Sequence, residues 1–190
     1  MAQVPFDPTR SVLFDLASGS VRLPAGEPQV LLSASVVAAL CATSPHAREL
    51  GRLVGADVAG RARIRRTMSS GPSNDDTLRS LSLMEVVDLV GGELALLGLG
   101  SLRTERWGAA LLFVLEPCGL DARADGLLAG IVEGAVASAG GRELRVAVVD
   151  RSERLVRLFV CNEETMRRAE ELRRRGLAFN AILSELMGAR

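Results

Sequence analysis

With 190 residues, the chain fits one domain that buries roughly 70% of its unfolded surface, and its 48% hydrophobic residues are ample core material. All 23 basic residues are arginine, they balance 23 acidic ones, and tyrosine is missing. This excludes lysine Schiff-base chemistry, a phosphate-loop lysine and tyrosine acid–base catalysis, and argues against non-specific nucleic-acid binding.

No apolar run reaches the ~18 residues of a membrane span, and Met1 to Arg10 lacks a basic stretch followed by an apolar one, so a cytosolic protein without membrane contact is expected. Cys41, Cys118 and Cys161 lie too far apart for a zinc knuckle or a redox pair and read as small apolar core residues.

Residues 11–16 are β-branched and apolar, Ala17 to Ser20 form a turn, and Val21-Arg22-Leu23 alternates, which predicts an N-terminal hairpin that Gln29 to Leu32 extends. Ser33 or Ser35 caps a helix through Val36, Val37, Leu40 and Cys41. Ser44-Pro45 opens the next, running to about Thr67, with Pro45 where a missing N–H is harmless. Its apolar side is marked by Leu50, Leu53, Val54, Val58 and Ile64, and its other side, from Arg48 and Arg52 to Arg66, is basic.

The polar stretch 69–76 is a mobile loop by composition. Ser82 and Glu85 form a capping box before Val86, Val87, Leu89 and Val90, and Gly91-Gly92 weakens that helix. Strands are expected at 101–105 and 109–116, then a helix over 121–139 that ends at Gly140-Gly141. Strands at 144–149 and 155–161 close the pattern, and Asn162 caps a last helix over 162–188, acidic at its start and arginine-rich later, as the helix dipole favours.

This order predicts an α/β (α+β) fold: one domain over 1–190, with a small antiparallel sheet packed on several helices, an N-terminal hairpin and a long C-terminal helix. Four segments in register resemble the 4-vinyl reductase domain, a relative of the TRAPP trafficking-complex subunits. They are Phe14-Asp15 with Gly19-Ser20-Val21, Gly51 to Gly60, Leu97 to Leu102, and Ala129 to Ala135 leading to Gly140-Gly141. The resemblance covers roughly residues 11–160. In aromatic-sensing members of that family a zinc site uses cysteines and a glutamate. The matching positions here fall at Asp125, Asp150 and Arg157, so the resemblance implies no such metal and no cofactor.

Candidate sites follow. His46, the one histidine, sits at a helix start and reads as a surface residue rather than part of a triad. Trp107, Leu111, Phe113, Leu128 and Ile131 are the candidate lining of an apolar ligand pocket, with ordinary core as the alternative. Arg61, Arg63, Arg65 and Arg66 are a candidate patch for anions or an acidic partner, with a solvated helix face as the favoured alternative.

Thr165, Ala169, Leu172, Gly176, Phe179, Leu183 and Leu186 repeat at alternating spacings of four and three, with Gly176 as a point at which the helix kinks or divides. That seam, with Leu172, Phe179, Leu183 and Leu186 as its anchors, either folds onto its own domain or meets a second chain. The function expected is a non-enzymatic adaptor or regulatory module, a homodimer acting through partner proteins, with room for a small hydrophobic ligand. The alternative is a small-molecule sensor, and a third reading, an accessory enzyme of tetrapyrrole reduction, finds no nucleophile or base to support it.

Overall fold

The computed structural model describes residues 12–15, 17, 19–23, 28–70, 78–108, 110–141 and 143–188. Three short strands, β1 (Leu13–Asp15), β2 (Ser20–Arg22) and β3 (Pro28–Gln29), form a small antiparallel sheet; the expected extension through Leu32 is not strand. Helix α1 (Ala34–Thr43) follows, its first turn capped by the Ser33 hydroxyl, which accepts from the Val36 N–H. Helix α2 (Ala47–Ser70) starts two residues beyond Pro45, with the His46 carbonyl accepting from the Leu50 N–H at 2.9 Å. Most of the expected loop over 69–76 lies outside the described residues, while α2 itself extends to Ser70.

Helix α3 (Leu83–Leu96) carries the complete Ser82–Glu85 capping box. It also runs through Gly91-Gly92, where the sequence predicted a weak point. At Gly91 a Cβ would sit 3.2 Å from the Leu102 Cβ, so this glycine lets the helix lie close on the sheet. Strands β4 (Ser101–Trp107) and β5 (Ala110–Glu116) pair from Ser101↔Glu116 to Trp107↔Ala110. Helix α4 (Asp125–Gly140) ends where Gly141, at φ 65°, donates its N–H to the Ala137 carbonyl at 2.8 Å. Strands β6 (Arg145–Arg151) and β7 (Val156–Cys161) complete a four-stranded antiparallel sheet in the order β4-β5-β7-β6.

Side chains alternate across this sheet. Leu102, Phe113, Leu115, Val146, Val148 and Leu158 face α2, α3 and α4, while Leu112, Ala147 and Val149 face the C-terminal helices. Those are two, not one. Helix α5 (Glu163–Arg174) is capped by Asn162, and α6 (Phe179–Gly188) begins after a break at Gly176. There φ is +77°, a value that glycine adopts without strain, and the Gly176 and Leu177 N–H groups turn back to the Arg173 and Leu172 carbonyls. The heptad spacing was real, but its glycine ends a helix instead of continuing one.

Helix α2 is oriented differently from its sequence reading. Leu50, Leu53 and Ile64 are exposed, while Gly51, Gly55, Val58, Ala59 and Ala62 are buried. Small residues win the inward face because α2 and α4 meet backbone to backbone. A Cβ on Gly51 or Gly55 would overlap the carbonyl of Leu127 or Ile131; one on Gly130 or Gly134 would overlap that of Arg48 or Arg52. Leucine cannot enter such a seam.

Gly55→Ala should therefore destabilise by about 3 kcal/mol, the upper range for overpacking. Gly60→Ala, where a Cβ would meet nothing within 4 Å, should be neutral or stabilise by up to ~1 kcal/mol through helix propensity. Urea unfolding of the two variants checks this, and equal midpoints would contradict the seam.

Candidate functional site

An apolar space lies between α3, α4 and the sheet, a cavity of about 370 Å³. That is the lower end of the ~300–1,000 Å³ typical of small-molecule sites. Helix α3 supplies Val86, Val87, Val90 and Leu94 as one wall, and α4 supplies Val132, Ala135, Val136 and Ala139 as another. The sheet closes it with Leu102, Leu111, Phe113 and Val160, while Leu78, Leu81 and Leu83 stand at the approach to α3.

Of the residues proposed from sequence for a pocket, Leu111 and Phe113 line this cavity. Leu128 and Ile131 are fully buried in the same core without lining it, since their stretch of α4 turns toward α2. Trp107 is on the opposite face of the sheet. Its ring meets Phe179 edge-on at 5.0 Å between centroids, and the Arg157 guanidinium lies 5.0 Å over the same Phe179 ring. The tryptophan therefore steadies the start of α6. Strand alternation separates it from Leu111 and Phe113, a parity that was readable in the sequence. The α3 wall was not identified there, although its apolar run after the capping box was.

Leu172, Leu183 and Leu186 are buried against Leu112, Ala147 and Val149, and Phe179 packs beside them. The seam thus covers the chain's own sheet.

The basic side of α2 also differs from a solvated face. Glu133 of α4 is only 2% exposed and takes Arg48 at 2.8 Å and Arg52 at 2.7 Å, while the Val146 N–H donates to it at 2.8 Å. Arg48 reaches on to Glu170 of α5 at 3.0 Å. Thirteen residues further along α2 the pattern repeats: Glu93 of α3, 1% exposed, takes Arg61 at 3.1 Å and Arg65 at 2.6 Å. Arg61 also pairs with Asp57, and one of its terminal nitrogens is buried with no hydrogen-bond partner. Two of the four arginines expected as an outward patch therefore point at an internal carboxylate. Arg63 is exposed, and Arg66 contacts the Ser80 hydroxyl at 3.3 Å. The signal that sequence reading passed over is a glutamate amid small and apolar residues in each of two helices, Glu93 after Gly91-Gly92 in α3 and Glu133 beside Gly134 in α4.

Burial pushes the Glu133 carboxyl up, but the donated hydrogen bonds from Arg48, Val146 and Arg52 more than offset it and hold it below the ordinary carboxylate range. At Cys161, burial dominates and pushes the thiol up to about 12, so it is not a nucleophile at neutral pH. His46 is exposed and pairs with Glu49 at 2.9 Å.

The positions matched to the family's metal ligands hold ion pairs. Asp125 pairs with Arg151 and with Arg173, and Asp150 pairs with Arg157. Among the described residues no group of three or more His, Cys, Asp or Glu is placed to hold a metal ion. A second, charged groove of about 390 Å³ is lined by Arg48, Asp125, Glu170 and Arg173, which are spent on one another and on Glu133. No helix among the described residues is long and apolar enough to cross a membrane.

No family model and no curated protein matches the chain. Among solved structures it is similar to the phenol-responsive sensory domain of the transcription activator PoxR, crystallised with phenol. The TM-score is 0.58 at 14% identity, over 90% of this chain and 96% of that one. The two share a fold. The mixed α+β architecture expected from sequence is the one observed.

Because the Glu133 carboxyl is held low in the folded state, its contribution is present above its ordinary value of about 4.3 and is lost as pH falls through the folded one. Glu133→Gln should cost about 3 kcal/mol at pH 7 by removing the carboxylate that Arg52 holds and leaving Arg48 with the Glu170 carboxylate alone. It should also shallow the decline of stability with acid. Unfolding free energies between pH 7 and 3 test this, and an unchanged acid slope would exclude Glu133 as its source.

Proposed function

We propose that this chain is a ligand-sensing domain that binds a small hydrophobic molecule in the cavity between α3, α4 and the sheet. The observation that carries the reading is that cavity: an apolar space of about 370 Å³ within a fold shared with a phenol-responsive sensory domain. The sequence resemblance to 4-vinyl reductase domains points the same way.

The adaptor reading drew on the family resemblance, the missing catalytic chemistry and the C-terminal seam, and of that seam Leu172, Leu183 and Leu186 are engaged with the chain's own sheet. An enzymatic reading has less support still. The ionisable groups near the cavity, Glu93 with Arg61 and Arg65, are tied to each other. Binding would be driven by removing apolar surface from water, at about 25 cal/mol per Å².

The helices around the cavity suit a sensor. Helix α4 is locked against α2 through backbone contact, whereas α3 presents Val86, Val87, Val90 and Leu94 to the cavity and Glu93 to the arginines of α2. A ligand that displaces α3 therefore acts on that ion-pair cluster, which links cavity occupancy to the longest helix.

The fluorescent hydrocarbon acenaphthene should bind one per chain with a Kd of about 1 μM. Ala139→Leu, which pushes three further carbons into the cavity from α4, should weaken binding at least about tenfold with the helical circular dichroism unchanged. Absence of binding, or equal binding to both proteins, would rule out the cavity as the site.

A further inference from the structure

The polarity of the walls narrows the ligand class. Resting on the cavity being the binding site, we infer that its ligand is a hydrocarbon, with no hydroxyl, amine or carboxyl group on the part that is buried.

Among the described residues, every side chain lining the space is aliphatic except Phe113, and none is polar. The backbone offers little more. Strands β4 and β5 pair along their whole lengths, and β5 pairs with β7 from Leu112↔Phe159 to Leu115↔Val156. Val86, Val87, Val90 and Leu94 of α3 and Val132, Ala135 and Val136 of α4 lie within their helices, where the backbone bonds are internal, which leaves the helix-end residues Leu83, Ala139 and Gly140 as the helical lining positions with free backbone groups.

Among the described residues, polar side chains on β4 and α3 beside the space are engaged elsewhere. On the cavity side of β4, Thr104 donates to the Met84 sulfur at 3.7 Å, and Arg106 is exposed; neither lines the space. Ser82 and Glu85 satisfy each other in the capping box, and Glu93 is held by Arg61 and Arg65. A hydroxyl carried into this space gives up its water hydrogen bonds and gains none from the side chains, a penalty that a methyl of similar size does not incur.

Phenol, the molecule bound by the PoxR domain, is therefore the wrong kind of ligand for this cavity. Its methyl counterpart, toluene, has the right character. A larger neutral hydrocarbon fits the same description, because discrimination comes from unpaired polarity rather than from size.

The test is isothermal titration of the full chain with two matched pairs, toluene against phenol and naphthalene against 2-naphthol, repeated with Ala139→Leu. The hydrocarbon of each pair should bind at least about tenfold tighter than its hydroxyl analogue, and Ala139→Leu should weaken the binding, most for the larger pair. Hydroxyl analogues that bind as tightly or more tightly, with weaker binding in Ala139→Leu, would overturn the hydrocarbon assignment and leave the sensor reading standing. No binding by any of the four, or binding equally tight in Ala139→Leu, would overturn both.

Discussion

The structure depends on how closely α2 and α4 approach. Gly51 and Gly55 on one helix and Gly130 and Gly134 on the other leave no side chain between the two backbones. Dispersion contact along such a seam is dense, and the fit is set by main-chain atoms that cannot change rotamer. Close approach also brings the Arg48 and Arg52 side chains of α2 to Glu133, on the same stretch of α4 as Gly130 and Gly134. The packing comes first, and the ion pairs follow from it.

Glu133 then extends the restraint outward. Through the Val146 amide it fixes the edge strand β6 to α4, and through Arg48 it reaches α5 on the other side of that edge. Glu93 does the corresponding work between α2 and α3. Each carboxylate is gripped by two arginines one helical turn apart, 48 with 52 and 61 with 65. Isolated buried ion pairs add little net stability over apolar residues of the same volume. Their value here is positional, because each arginine pair admits its helix in one rotation only.

Much of the fold was legible in the sequence, and the legible parts share a cause. The Ser82–Glu85 box, the Asn162 cap, the Gly141 terminus and the hairpins around Gly108 and Ser152 are short-range devices, decided by residues within a few positions. Long-range partners decided the rest. Leu50 and Leu53 promised a buried face, but the requirement of α4 for small residues turned them outward. Arg61 and Arg65 looked solvated because the glutamate they hold is some thirty residues away. At the candidate site, Leu111 and Phe113 could be named from strand alternation, whereas Val86, Val90 and Ala139 enter only when three separate segments converge.

The space enclosed by those segments has a thermodynamic corollary. Unfilled, its branched side chains lack neighbours on one side and forgo part of the dispersion attraction of a packed interior. Any molecule that settles there adds contacts to the native state alone, so the midpoint of thermal unfolding becomes a function of that molecule's concentration. In a cell, where unfolded chains are degraded, the steady-state abundance of such a protein then rises and falls with the supply of what it holds.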